Sequence, residues 1–106
     1  MAFKIVWAEP AIADLEAIVG QLARSSPEAA RTTGEAITSH VEVLRSFPRI
    51  GPCYPRDPKR LIRELVCGVY RIFYTVDEEQ VRVQVLTIWH GSRQEPNLTR
   101  MTDQLD

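Results

Sequence analysis

The sequence predicts an α+β domain in the order β-α-α-β-β-β: an antiparallel meander sheet with a helical hairpin packed on one face. Three observations carry that prediction. Between positions 11 and 44 apolar residues recur at steps of three and four, the period of a helix lying against a core. Between positions 61 and 90 they instead alternate with polar residues, the period of a half-buried strand. Prolines, glycines and short polar clusters fall at the joints between these segments.

Phe3 to Ala8 (FKIVWA) is short and rich in β-branched and aromatic residues, and reads as the first strand. Glu9-Pro10 opens a helix, because Pro in the first turn gives up an N–H that has no helical partner. Ala11, Leu15, Ile18 and Leu22 mark its buried side to about Arg24, and Asp14 and Glu16 sit where acidic residues favour the helix dipole. Ser25-Ser26-Pro27-Glu28 ends one helix and starts the next. Either Ser25 and Glu28 form a capping box, or Ser26 caps with Pro27 in the first turn. Ala30, Gly34, Ile37, Val41 and Leu44 form the seam of a second helix of roughly 20 residues, paired with the first as an antiparallel hairpin. Gly34 in that seam implies close approach of the two backbones. Phe47-Pro48 stops the helix, since a residue before Pro avoids the α region.

Arg49 to Arg60 (RIGPCYPRDPKR) reads as a basic loop, and Leu61–Cys67, Val69–Asp77 and Val81–His90 as three strands joined by short turns. Alternation sets Tyr70, Ile72, Tyr74 and Val76 against Val69, Arg71, Phe73 and Thr75. It sets Val81, Val83, Val85, Thr87 and Trp89 on a core face, with His90 on the other. A second face holding Arg63, Arg71 and His90, with Arg93 just beyond, is the resulting expectation. Residues 94–106 read as a polar tail, either a short helix or a disordered or partner-ordered segment of the single domain spanning 1–106.

With 106 residues, 44% of them hydrophobic, the chain suits one domain with a real core. No apolar run approaches the roughly 20 residues needed to span a bilayer, and the N-terminus has no signal-peptide pattern. Cys53 and Cys67 read as reduced thiols of a cytoplasmic protein. No zinc spacing occurs, and nothing calls for a cofactor or metal. The net charge of −1 is unevenly spread. Residues 45–71 hold 7 basic and 2 acidic side chains, while the flanking segments each hold 3 basic and 6 acidic. The block Arg45, Arg49, Arg56, Lys59, Arg60, Arg63 and Arg71 is a local patch for an acidic partner or a short piece of nucleic acid, on a protein too acidic overall for general nucleic-acid binding.

Several of these residues occur in an order that resembles the RelE/ParE superfamily, the toxins of bacterial type II toxin–antitoxin pairs. Val6-Trp7 with Pro10, Ala13, Asp14, Leu15 and Ile18 resembles the family's opening strand and helix. Ala29-Ala30 and Leu44 resemble its second helix, and Pro48 with Gly51 the loop that follows. Arg63-Glu64-Leu65, Tyr70-Arg71-Ile72, Tyr74 and His90-Gly91-Ser92-Arg93 resemble its sheet. The resemblance implies a cognate antitoxin, a toxin–antitoxin hetero-oligomer, and one of two targets. RelE-like members cut mRNA on the ribosome with basic residues, often an arginine at the place of Arg71, and in some a C-terminal Tyr or His. ParE-like members inhibit DNA gyrase by binding and generally lack the nuclease set.

On the nuclease reading the catalytic residues are Arg63, Arg71, His90 and Arg93, with His90 as acid or base and the arginines stabilising the phosphorane. On the binding reading Arg56, Lys59, Arg60, Arg63 and Arg71 grip a protein partner. Each has a plainer alternative: a strand-end hydrogen bond for His90, a cross-strand pair with Glu64 for Arg71, and a solvated loop for Arg56, Lys59 and Arg60. No Tyr follows His90, Lys59 is the one lysine between the second helix and the sheet, and the charge suits ribosomal RNA poorly, so the sequence resembles ParE more. A third reading is a degenerate, non-toxic antitoxin-binding module.

Overall fold

A computed structural model describes residues 2–91; Arg93 and the tail from Gln94 lie outside them. The elements are β1 (Lys4–Trp7), α1 (Glu9–Ala23), α2 (Pro27–Val43), β2 (Ile62–Cys67), β3 (Tyr70–Asp77) and β4 (Arg82–His90). The expected α+β order is present. At the joint of the hairpin the Ser26 alternative holds: its Oγ accepts the Ala29 N–H at 3.1 Å, with Pro27 the first helical residue. Gly34 faces α1 closely, since a Cβ there would stand 3.4 Å from Val19 Cγ2. The second helix ends four residues before Phe47, because Leu44, Arg45 and Ser46 each donate to the carbonyl three residues back and tighten the last turn.

The four strands form one sheet in the order β1-β4-β3-β2. The β2-β3-β4 portion is the expected antiparallel meander, whereas β1 joins parallel to β4, so the sheet is mixed. The physical reason lies at the two available edges. Residues 52–54 already occupy the outer side of β2: Tyr54 N–H donates to the Ile62 carbonyl at 2.8 Å and Glu64 N–H to the Pro52 carbonyl at 3.0 Å. The free side of β4 is left for β1, and the helical hairpin supplies the long connection that parallel strands require.

Val81, expected to begin the last strand, instead has φ 52 and closes the β3–β4 connection. A β-branched residue is strained there. Its carbonyl nevertheless accepts the Lys4 N–H at 2.9 Å and so starts the β1–β4 ladder.

The helices cover one face of the sheet. Ala11, Ile37, Val41, Cys67, Ile72, Val85 and Ile88 are buried together there, and Leu44, Tyr74 and Val83 form a second cluster nearby. Each fully buried aliphatic side chain in this layer contributes about 1.5–3 kcal/mol. On the opposite face Tyr54, Ile62, Phe73 and Leu86 form a third cluster, with Trp89 against it.

A bulge corrects the faces expected for β4. Phe73 pairs with Thr87 but Tyr74 pairs with Val85, so Leu86 is the extra residue. Val83 and Val85 face the helices as expected. After the bulge Ile88, not Thr87, rejoins them, and Trp89 packs on the opposite side. His90 moves with Ile88, beside Tyr70 on the helix-facing side.

Candidate functional site

The structure separates the residues expected on one charged face. Arg71 stands on the face away from the helices. Its Nε donates to Glu64 Oε2 at 2.5 Å, and both side chains keep 17% of their exposure. The guanidinium carbon lies 5.2 Å from the Phe73 ring centre and 5.9 Å from that of Tyr54. A flat cation between a carboxylate and two rings is held by charge and ring faces together. The cross-strand Glu64 pair anticipated from the sequence is therefore present.

Arg63 takes the other face, beside Leu65 and Tyr74. It spans two loop carbonyls, donating to Gly51 O at 2.7 Å and Arg49 O at 3.3 Å. The Gly51 N–H donates to the buried Tyr74 hydroxyl at 2.9 Å. Burial pushes the Tyr74 phenol above its ordinary value, although the Gly51 N–H and the Arg63 charge pull the other way. Arg63 thus fastens the start of the loop to the sheet.

His90 lies at the far end of the helix-facing side. Its ring meets the Tyr70 ring edge-on, with centres 5.5 Å apart. Both line a cleft of about 390 Å³ with Asp14, Ala17, Gln21 and Leu22 of α1. Arg63 pairs with Tyr74 and His90 with Tyr70, which sets them four residues apart along β3, roughly 13 Å of strand. The expected cluster of Arg63, Arg71 and His90 does not form, because alternation and the bulge point them to different places. Arg93 lies outside the described residues.

The basic loop is built rather than merely solvated. Arg56, Lys59 and Arg60 are exposed, but Asp57 between them is buried. Its Oδ1 accepts the Lys59 N–H at 3.1 Å, and its Oδ2 accepts Leu61 N–H at 2.7 Å and Ile62 N–H at 2.8 Å. Tyr54 plugs the loop into the third cluster, 5.0 Å from the Phe73 ring and edge-on to it. Arg60 adopts φ 55, which turns the chain into β2. Three exposed cations are in this way carried on a fixed backbone frame.

Sequence reasoning missed Asp57, Tyr54 and Asp14. Asp14 accepts from the Ile88 N–H at 3.0 Å and the Thr87 hydroxyl at 2.5 Å, taking over the edge of β4 where β1 has ended. An acid among prolines was the available signal for Asp57; Asp14 was noted only for its place in the helix, and nothing local pointed to its contact with β4. Among the described residues no group of acidic, His and Cys side chains is placed to hold a metal, and no helix is long and apolar enough to cross a membrane.

The mixed four-stranded sheet under a helical hairpin, with a fixed basic loop, defines a small α+β class. Residues 5–95 match the model of the ParE toxin of the type II toxin–antitoxin system parDE, and the chain belongs to that family. Solved structures agree at the level of fold. A chain of the chromosomal ParDE system from P. aeruginosa is 24% identical, with a TM-score of 0.70 over 84% of this chain and 96% of that one. A mutant of the E. coli toxin RelE in the free state is 19% identical, with a TM-score of 0.68 over 99% of each chain. A chain of a RelBE toxin–antitoxin complex from Mycobacterium tuberculosis is 21% identical, with a TM-score of 0.61 over 85% of this chain and 92% of that one. No curated protein matches the sequence.

Proposed function

We propose that this toxin-family chain acts in the cytoplasm by binding DNA gyrase and inhibiting it, and that a cognate antitoxin neutralises it in a hetero-oligomer. The observation that carries the reading is the engagement of Arg71. RNA cleavage needs an acid or base and at least one cation around a single phosphate. The Arg71 guanidinium is committed to Glu64 and two rings, on the face opposite His90. The match to the ParE model over residues 5–95 supports the same choice. The exposed Arg56, Lys59 and Arg60, on a loop fastened by Asp57, suit an acidic partner segment.

Two assays on the purified chain test this reading. Micromolar protein is expected to abolish supercoiling by gyrase and to leave mRNA intact in a translation reaction. Unimpaired supercoiling, or codon-boundary mRNA cuts that vanish in His90→Ala, would overturn it.

A further inference from the structure

The chain leaving α2 presents a run of exposed apolar side chains. Val43 ends the helix, and the Phe47 N–H donates to its carbonyl at 2.9 Å. The Ile50 N–H donates in turn to the Phe47 carbonyl at 3.2 Å. Two successive backbone bonds, with the restricted Pro48 between them, hold these three residues in a fixed turn. Val43 is 42% exposed, Phe47 62% and Ile50 55%, and none belongs to a buried cluster. Neighbouring exposed apolar residues rimmed by charge mark contact surfaces, whereas singly scattered ones do not.

The charges around this ridge specify what covers it. On the α2 side Arg45 Nε donates to Glu42 Oε1 at 2.7 Å. On the side of the β3–β4 turn Arg49 pairs with Glu78. All four side chains are well exposed, and such pairs are weak enough to exchange partners. Each flank therefore offers one cation and one anion. A uniformly acidic or basic partner would set half of these charges against its own sign. A second copy of the same surface, turned about a two-fold axis, sets Glu against Arg on both flanks. Three apolar side chains are a small core beside the roughly 800 Å² per partner of a stable dimer, so the pairing is weak and concentration-dependent.

We infer that this ridge is a self-association surface. Two copies of the chain pack Val43, Phe47 and Ile50 together about a two-fold axis and exchange Glu–Arg pairs at both flanks. The inference goes beyond the proposed function, which names only other proteins as partners, and it depends on neither of them.

Sedimentation equilibrium of the full chain tests it. The wild-type chain is expected to pass from monomer to dimer with a Kd of about 0.1 mM. Phe47→Ser should weaken that association by roughly tenfold or more. Two further variants recast the flanks. Arg45→Glu with Arg49→Glu makes all four flanking side chains acidic, and Glu42→Arg with Glu78→Arg makes all four basic. These positions are exposed, so both variants should fold. Each alone should stay monomeric, whereas an equal mixture should form a heterodimer that weakens as salt is raised. Three outcomes would overturn the inference: a wild-type chain still monomeric at about 1 mM, an unchanged Kd in Phe47→Ser, or a mixture that does not associate. Because neither gyrase nor an antitoxin enters the experiment, its failure leaves the gyrase result standing.

Discussion

Arg71 shows how much a single residue depends on its neighbours. With Glu64 it forms a pair in which neither side chain is more than 17% exposed, so each partner protects the other from an uncompensated desolvation cost. Arg71→Ala is expected to lower unfolding free energy by about 1–3 kcal/mol, because it leaves the Glu64 carboxylate unpaired and bares the Phe73 ring. Glu64→Ala should cost a similar amount. The double variant should cost clearly less than the two together, which urea unfolding of all four proteins would read out; additive losses would show that the pair does not act as a unit. This pairing was legible from sequence, because Glu64 and Arg71 sit on facing runs of a tight hairpin. The roles of Asp57 and Asp14 were not, since what each carboxylate accepts comes from backbone folded against it.

At the scale of elements, two glycines make opposite predictions. Gly20 lies in α1 with nothing within 4 Å of an added Cβ. Gly20→Ala should therefore stabilise the protein by about 0.5–1 kcal/mol through helix propensity. Gly51 lies where the loop crosses β2, and an added Cβ would stand 2.7 Å from Glu64 O and 2.8 Å from the Tyr74 hydroxyl. Gly51→Ala is expected to break the Gly51–Tyr74 bond and release the start of the loop, at a cost of about 2–4 kcal/mol. Thermal unfolding of both variants checks the pair: a gain at Gly51 or a loss at Gly20 would contradict it. The helices themselves were legible because their seams repeat within the segment. The place of β1 was not, because which edge it joins depends on residues 52–54 having taken the other.

For the whole molecule, the buried acids Tyr74 and Cys67 set a response to alkali. Burial raises the Cys67 thiol above its ordinary value of 9.0, and it outweighs the opposing pulls on Tyr74, ordinarily 10.0. Each group holds its proton more firmly folded than unfolded. Their contribution is therefore complete below the unfolded values of 9.0 and 10.0 and is lost as pH rises from each of these through the higher value of the folded state. Urea midpoints should fall over that range. Cys67→Ala should flatten the first part of the fall and Tyr74→Phe the second, each from a lower starting stability. An alkaline fall of unchanged shape in both variants would assign the effect elsewhere.

What the sequence determined by itself was local: two helical seams, four extended runs and the close approach at Gly34, with the Ser26 cap and the Arg71–Glu64 pair each offered as one of two alternatives. These follow from periods and spacings that a few neighbouring residues satisfy among themselves. The tertiary structure decided the rest. The extra residue Leu86 reversed the faces of the last strand and carried His90 away from Arg71, and covering one sheet edge sent β1 to the other. Both turn on register between segments distant in the chain, where one inserted residue inverts every side chain beyond it. For that reason Arg63, Arg71 and His90, expected on one face, are dispersed in the folded chain.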